Sequence, residues 1–530
     1  MAKLDPKPLR KIGVVHHRAF VYAPVCAALL GLAGCAAVGP NFESPAAPNS
    51  ATYTNQALPA HTAATANVAQ GGAQKFVPQA QPDSAWWANL GSAALTALIE
   101  QGLAASPTLA SAQAKLRQAE KTFAAQSGSS ELPQVNGKLG AQRQGINSAN
   151  FGQSGGEKNF NLYNAGLTIG YNIDLFGENR RTLEGLAAQT DYQRYQLQAA
   201  RLTLAGNIAI AAITQALLNA QINATESIIK NQSQQIDLIN ARLRLGAATR
   251  SDVLILQSQR DQTRASLPPL KLKRAQTDHL LATLTGQMPS AAQIPTFNLD
   301  ALNLPSELPV VVPSAWVRAR PDIQAASALL HVATAQYGVA VANLYPQINL
   351  TATLGSQGIT PASLFNASSL IWSLIGGLTQ PIFNGGLKAA SEAASANVSA
   401  SAANYQQVVL DGLRNVADTL QACTLDADTL SAQVAAEQSA AQSLALVEQQ
   451  LKLGSATSLQ LLTAQQQVTQ SRLSTLAARA QRLSDSVAFY QAMGSENSAY
   501  PPKDSAPDPI QAAATTTQLS IHSQPEKNTK

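Results

Sequence analysis

One residue in this chain sits in a pattern that asks for covalent chemistry. Cys35 closes Leu32-Ala33-Gly34-Cys35, the bacterial lipobox, in which cleavage leaves the cysteine as an N-terminus carrying a diacylglycerol and an acyl chain. Residues that could do bond chemistry elsewhere are scattered. His61, His279, His331 and His522 are far apart and lack metal-ligand spacing, no glycine-rich phosphate loop follows a strand, and no paired carboxylates recur near a cleft-like segment. An enzyme is therefore not expected, nor any cofactor beyond the lipid on Cys35. With Cys26 removed in the leader and Cys35 acylated, Cys423 is left alone in a helical run as a small packing residue, and no disulfide forms within one mature chain.

The leader explains the charge. Residues 1–34 carry Lys3, Lys7, Arg10, Lys11 and Arg18 against Asp5, followed by an apolar stretch at 19–32 too short for an ordinary membrane-spanning helix. They take five of the 36 basic and one of the 31 acidic residues, leaving 31 and 30, so the formal charge of +5 disappears and no basic stripe remains for nucleic acid. Ala36 after the cysteine, where an aspartate would stand for inner-membrane retention, fits an outer-membrane address. Charged residues make up only 13% of the chain, against about 25% in ordinary globular proteins, and small neutral residues replace them.

The elements that would use this composition come in duplicate. Residues 161–189 and 370–396 each run from an alternating strand through a Phe into an Ala-rich helix, with Leu167, Gly170 and Phe176 matching Leu374, Gly377 and Phe383 at an offset of 207. The expected layout is a leader at 1–34, a lipidated tether at 35–82, a first repeat at 83–287, a connector at 288–313, a second repeat at 314–494 and a disordered tail at 495–530. The first repeat holds strands at about 132–146 and 160–176 and helices at 178–245 and 251–286. The second holds strands at about 346–357 and 370–383 and helices at 387–453 and 457–493. Trp86-Trp87 is expected to anchor against neighbouring helices.

Spacing supports both element types. From 179 to 245 there is no proline, and about 67 residues at about 1.5 Å each span about 100 Å. Leu204, Ile208, Ala211, Gln215, Leu218, Ile222, Thr225, Ile229, Gln232, Ile236, Ile239 and Leu243 follow the three–four spacing of a helical seam. The strands alternate strictly: Val135, Leu139 and Ala141 oppose Gln134, Asn136, Lys138 and Gln142, while Leu167, Ile169, Tyr171 and Ile173 oppose Thr168 and Asn172. A soluble sandwich shows such alternation too. Strands of 10 or more residues, uncharged on the apolar face and led by an export signal, fit an outer-membrane barrel better. Four strands cannot enclose a lumen, since small barrels need about eight, so several chains must build one together.

In this order the residues carry a resemblance. The lipobox followed by Val38-Gly39-Pro40-Asn41-Phe42, Trp86-Trp87, Arg320-Pro321-Asp322-Ile323, two Leu/Tyr-Pro-Gln strand starts, Asp174-Leu175-Phe176-Gly177 and two Leu-Gly helix ends cover about residues 35–494. The chain resembles the TolC-like outer membrane efflux proteins, in particular the NodT-type lipoprotein factors of RND pumps. That resemblance implies an α+β membrane protein, a homotrimer whose 12-stranded β-barrel takes four strands per chain and continues as a long periplasmic α-helical barrel. It implies an exit duct for small molecules or drugs, working with a periplasmic adaptor and an inner-membrane RND transporter, with Cys35 anchored in outer membrane lipid. The adaptor-docking tips would be Arg242, Leu245, Gly246, Leu453 and Gly454, and the barrel-to-helix corners Phe176, Gly177, Phe383 and Gly385. Relatives narrow the periplasmic end with Leu, Asp and Arg; here those positions are Leu459, Thr463 and Gln466, so Leu459 either closes the duct sterically or packs between helices. The alternatives are a type I protein secretion duct and a lipid-anchored periplasmic coiled-coil scaffold.

Overall fold

The computed structural model describes residues 37–46, 48, 50, 52–147, 152 and 156–494; the leader, Cys35 and the tail at 495–530 lie outside the described residues. In chain order the elements are β1 (Lys75–Pro78), α1 (Ala93–Ala105), α2 (Pro107–Ser130), β2 (Gln134–Asn147), β3 (Glu157–Ile173) and α3 (Glu178–Arg244). There follow α4 (Arg250–Ala265), α5 (Leu267–Leu284), β4 (Glu307–Val310), α6 (Pro313–Ala319), α7 (Pro321–Ala342), β5 (Gln347–Gly358), β6 (Leu370–Thr379), α8 (Gly385–Lys452) and α9 (Ser458–Met493). The described residues form two compact units, one within 37–44, 117–191 and 327–404, the other within 45–116, 192–326 and 405–494.

The first unit carries an antiparallel sheet in the order β2-β3-β5-β6. Val135 opposes Ile169, Ile169 opposes Ala352, and Ala352 opposes Leu374, so one face of the sheet draws apolar residues from all four strands. That face is open: Leu139 is 81% and Trp372 74% exposed. The opposite face carries Asn136, Thr168, Thr353 and Ser373 in register, together with Ile371 and Ile375 of β6. Two strands end sooner than the sequence suggests. β3 stops at Ile173 rather than 176, where the Leu175 N–H turns back to the Ile173 carbonyl, and β6 stops at Thr379 rather than 383, before Pro381, which has no N–H for a ladder.

In the second unit the expected seam is buried. Ten of its twelve positions are inaccessible, and only Ile229 and Leu243 are partly exposed. Trp86 is fully buried and stacks on Tyr490 at 5.4 Å between ring centres, which makes it the expected anchor. The helix expected at 251–286 is two helices. Pro268 and Pro269 follow Ser266 in the first turn of α5, where a missing N–H is tolerated, but within a continuous helix they would break its ladder. Arg320 accounts for the Arg-Pro-Asp motif: its Nη1 and the Trp316 Nε1 both donate to the Ala492 carbonyl at 2.9 Å, satisfying an orphan acceptor at the end of α9.

The expected tether and connector are more ordered than their composition suggests. β1 and β4, one from each, pair in parallel, with Phe76 buried beneath them. What holds the segment is polar. Buried Arg482 donates Nη1 to the Gln70 carbonyl at 2.6 Å, and Nη2 to the Gly72 carbonyl at 3.1 Å and to Thr62 Oγ1 at 3.3 Å. Gln70, held at a φ of 61°, donates in turn to the Leu299 and Leu302 carbonyls. A guanidinium with a fixed fork can fasten irregular backbone that has little apolar surface to bury.

Beside Arg482 lie Cys423, Asp426 and Asp485. Burial, then the nearby carboxylates, pushes the Cys423 thiol up to about 12, so it is an inert packing group. Desolvation, a hydrogen bond with Asp485 and that residue's charge push Asp426 up to about 8, against the opposing pull of Arg482. The folded chain thus keeps a proton that the unfolded chain, titrating near about 4, releases. Stability from this site is complete below about pH 4 and is lost as the pH rises toward 8. Asp426→Asn is expected to flatten the pH dependence of the thermal unfolding temperature across that window; an unchanged slope would assign the dependence elsewhere.

Candidate functional site

Three groups of residues stand where function is expected, the first in the unit that carries the sheet. At the end of β3, Phe176 stacks on Tyr345 at 4.9 Å, and Gly177 adopts φ +87° before α3 begins. Gly177 has a second constraint, because a Cβ there would collide with Ala37. The corner therefore holds the start of the described chain. The Val38 N–H donates to the Phe176 carbonyl at 3.0 Å, and buried Arg181 donates to the carbonyls of Val38 and Gly39 at 3.2 Å each and to Asn41 Oδ1 at 2.7 Å. Glu184 pairs with Arg181 at 2.7 Å and meets His331 at 2.8 Å, and the His331 ring stacks on Phe42 at 4.2 Å. The sequence offers Val38–Phe42 and Arg181 separately, and nothing in their spacing joins them.

The second corner differs from the first. Phe383 is 97% exposed, and Gly385 is simply the first residue of α8, with no left-handed turn. Repeat symmetry suggests a packed Phe and a turning Gly at both corners; the structure supplies them only at the first.

The tips lie in the second unit and are near-copies. After α3 the Ala247 N–H reaches back to the Arg242 carbonyl and the Gly246 N–H to that of Leu243; after α8 Ser455 and Gly454 do the same to Gln450 and Leu451. Gly246 and Gly454, at φ +71° and +77°, provide the left-handed residue of this helix stop. Three residues on, Thr249 and Thr457 cap α4 and α9, each with a reciprocal box through Asp252 or Gln460. The Thr249 side-chain and backbone hydrogen bonds hold the Asp252 carboxyl below its ordinary range. The pattern Leu-Gly-x-Ala-Thr at 245–249 and 453–457 encodes stop, turn and restart together. Arg242 Nη1 donates to the Leu451 carbonyl at 2.9 Å and joins the two tips over a cluster of Ile236, Ile239, Val253, Leu256 and Leu461. Leu245 and Leu453 are left pointing outward, each 83% exposed.

The third group is a stripe on α9. Leu459, Thr463 and Gln466 share one exposed face, with Thr463 Oγ1 donating to the Leu459 carbonyl and Gln466 Nε2 to Gln259 Oε1 at 3.0 Å. Leu461, Ala464 and Gln465 face inward instead, so Leu459 is not a packing residue within this chain. The stripe carries no charge and offers steric bulk and neutral hydrogen bonding. Among the described residues, no three His, Cys, Asp or Glu side chains gather as metal ligands.

Sequence profiles of the outer membrane efflux protein family match residues 98–287 and 312–495. The chain belongs to that family. It is an outer membrane efflux channel with a periplasmic portion. It is 31% identical over 422 residues to the pyoverdine export outer membrane protein OpmQ of Pseudomonas putida, covering 78% of this chain and 89% of the relative. The cation efflux system protein CusC of Escherichia coli K12 is 27% identical over 401 residues, 75% of this chain and 82% of that one. The outer-membrane channel OprN has the same fold, with a TM-score of 0.78 at 24% identity over 86% of this chain and 98% of that one.

Removing the caps tests the tip. Thr249→Ala and Thr457→Ala are each expected to cost about 1 kcal/mol of local stability. Amide hydrogen exchange should quicken in the first turns of α4 and α9 and stay unchanged in the sheet.

Proposed function

We propose that three copies of this chain close a twelve-stranded barrel in the outer membrane, continued by the long helices as a periplasmic duct for small molecules leaving through a tripartite pump. The observation that carries this reading is the sheet: 10 to 17 residues per strand, one open apolar face, one largely polar face, and unpartnered outer edges on β2 and β6. Strands of about 9–11 residues cross a bilayer. A backbone edge in lipid must find a partner, and three sets of four give a barrel wide enough to have a lumen.

The other groups take roles in this frame. Cys35, two residues before Ala37 in the sequence, would carry the lipid that anchors the chain in the outer membrane. Leu245 and Leu453 are the apolar tips on which a periplasmic adaptor would dock, linking the duct to a proton-driven inner-membrane transporter of the RND type. The Leu459 stripe narrows the periplasmic end sterically, since Thr463 and Gln466 carry no charge. Relatives named for such different cargoes as pyoverdine and metal cations suggest that the transporter selects and the duct tolerates.

Deleting the chain is expected to raise intracellular accumulation of the pump's substrates. The wild type should restore efflux, and Leu245→Asp with Leu453→Asp should fail to restore it at equal outer-membrane abundance. In a strain without the transporter, Leu459→Ala is expected to raise antibiotic permeability. Normal efflux from the tip variant removes the docking role, and unchanged permeability removes the gate.

A further inference from the structure

The four-stranded sheet holds very little charge, and what it holds is sorted by face. Side chains alternate along each strand, so the face of Asn136, Thr168, Thr353 and Ser373 also carries Lys138 of β2 and Lys158 of β3. No Asp or Glu falls on this face within β2, β3, β5 or β6. The two other charged strand residues, Arg143 and Glu157, lie on the opposite face and are of opposite sign. Both lysines are exposed, and neither forms an ion pair among the described residues.

Lys138 stands where all four strands are paired, in the row Lys138, Gly166, Gly355, Ile371. Nothing in that row can neutralise it. A Cβ at Gly166 would come within 2.9 Å of both the Gly355 Cα and the Leu354 carbonyl oxygen, so the close approach of β3 and β5 keeps the row bare of side chains beside the lysine. The first carboxylate along the chain of β3 toward the corner is Asp174, eight residues from Gly166 or about 27 Å away. Arg180 already holds it at 3.3 Å.

We infer that Lys138 makes the outer-membrane section of the duct favour anionic solutes. This rests on the trimeric reading, in which three copies set a ring of three lysines on the lumen wall, and it names the class of cargo that the ring assists. Twelve strands about 4.8 Å apart and tilted about 40° close at a radius of about 12 Å. An inward-reaching lysine takes up much of that distance, so an ion on the axis passes within about one Debye length, about 8 Å at physiological salt. An unpaired charge at that range is felt across the whole lumen. Lys158 repeats the sign in the two-stranded extension, where β3 has run past the end of β5.

The test places a thiol beside the lysine. Asn136→Cys, two residues from Lys138 on the same face, is made on a Cys423→Ala background and treated in outer membranes with an anionic or a cationic methanethiosulfonate reagent. One charge about 7 Å away in water, at about 10 mM salt, changes the ratio of the two rates about fivefold. Lys138→Gln is therefore expected to lower the anionic-to-cationic ratio about fivefold and Lys138→Glu about 25-fold, and both effects should vanish in about 1 M salt. In planar bilayers under a KCl gradient, Lys138→Glu should move the reversal potential toward potassium selectivity. Reaction at Asn136→Cys with an unchanged ratio, or an unmoved reversal potential, overturns the role of Lys138 alone. Reaction at Leu139→Cys in place of Asn136→Cys reverses the two faces and overturns the barrel reading as well.

Discussion

The constraint behind the structure is that backbone N–H and C=O groups in hydrocarbon must be paired within the protein, because no water is there to pair them. The sheet β2-β3-β5-β6 turns an open apolar face outward and leaves an edge on each side. As a soluble object this sheet would be an aggregation hazard, with an open apolar face and two long unpaired edges of 14 and 10 residues. Placed in a membrane and closed by copies of itself, both faults disappear together. A lipid-anchored coiled-coil scaffold, by contrast, would leave the strands without a role.

The helices satisfy a different condition. Each must turn at a tip and return, and the chain does this twice with the same five-residue device, a left-handed glycine followed three residues later by a threonine cap. Because stop and restart are both local, the tips leave Leu245 and Leu453 free of structural duty. The polar grip of Arg482 on residues 62–72 and of Arg181 on residues 38–41 follows another logic. Both fasten chain that lacks apolar surface, and both use the guanidinium's several donors on backbone carbonyls.

Much of this was legible in the sequence because it is periodic. Alternation set the faces of the strands, the three–four spacing marked the seam of α3, and Gly246 and Gly454 marked the turns. Local interactions were harder to read where sequence neighbours did not make them. Arg482 reaches Gln70, and Arg181 reaches Val38, over separations with no periodic signal. Repeat symmetry also carried too far at Phe383 and Gly385: the second corner lacks the packed ring and the left-handed glycine of the first, since β6 is an outer strand of the sheet whereas β3 lies between β2 and β5.

Residue-resolved amide hydrogen exchange of β6 in the outer-membrane particle tests this account most directly. In an antiparallel edge strand every second N–H faces away from its neighbour. If β6 pairs with the next chain, every amide from Leu370 to Thr379 should exchange as slowly as those of β5. If alternate amides of β6 exchange fast while their neighbours stay protected, the edge is free and the closed barrel is contradicted.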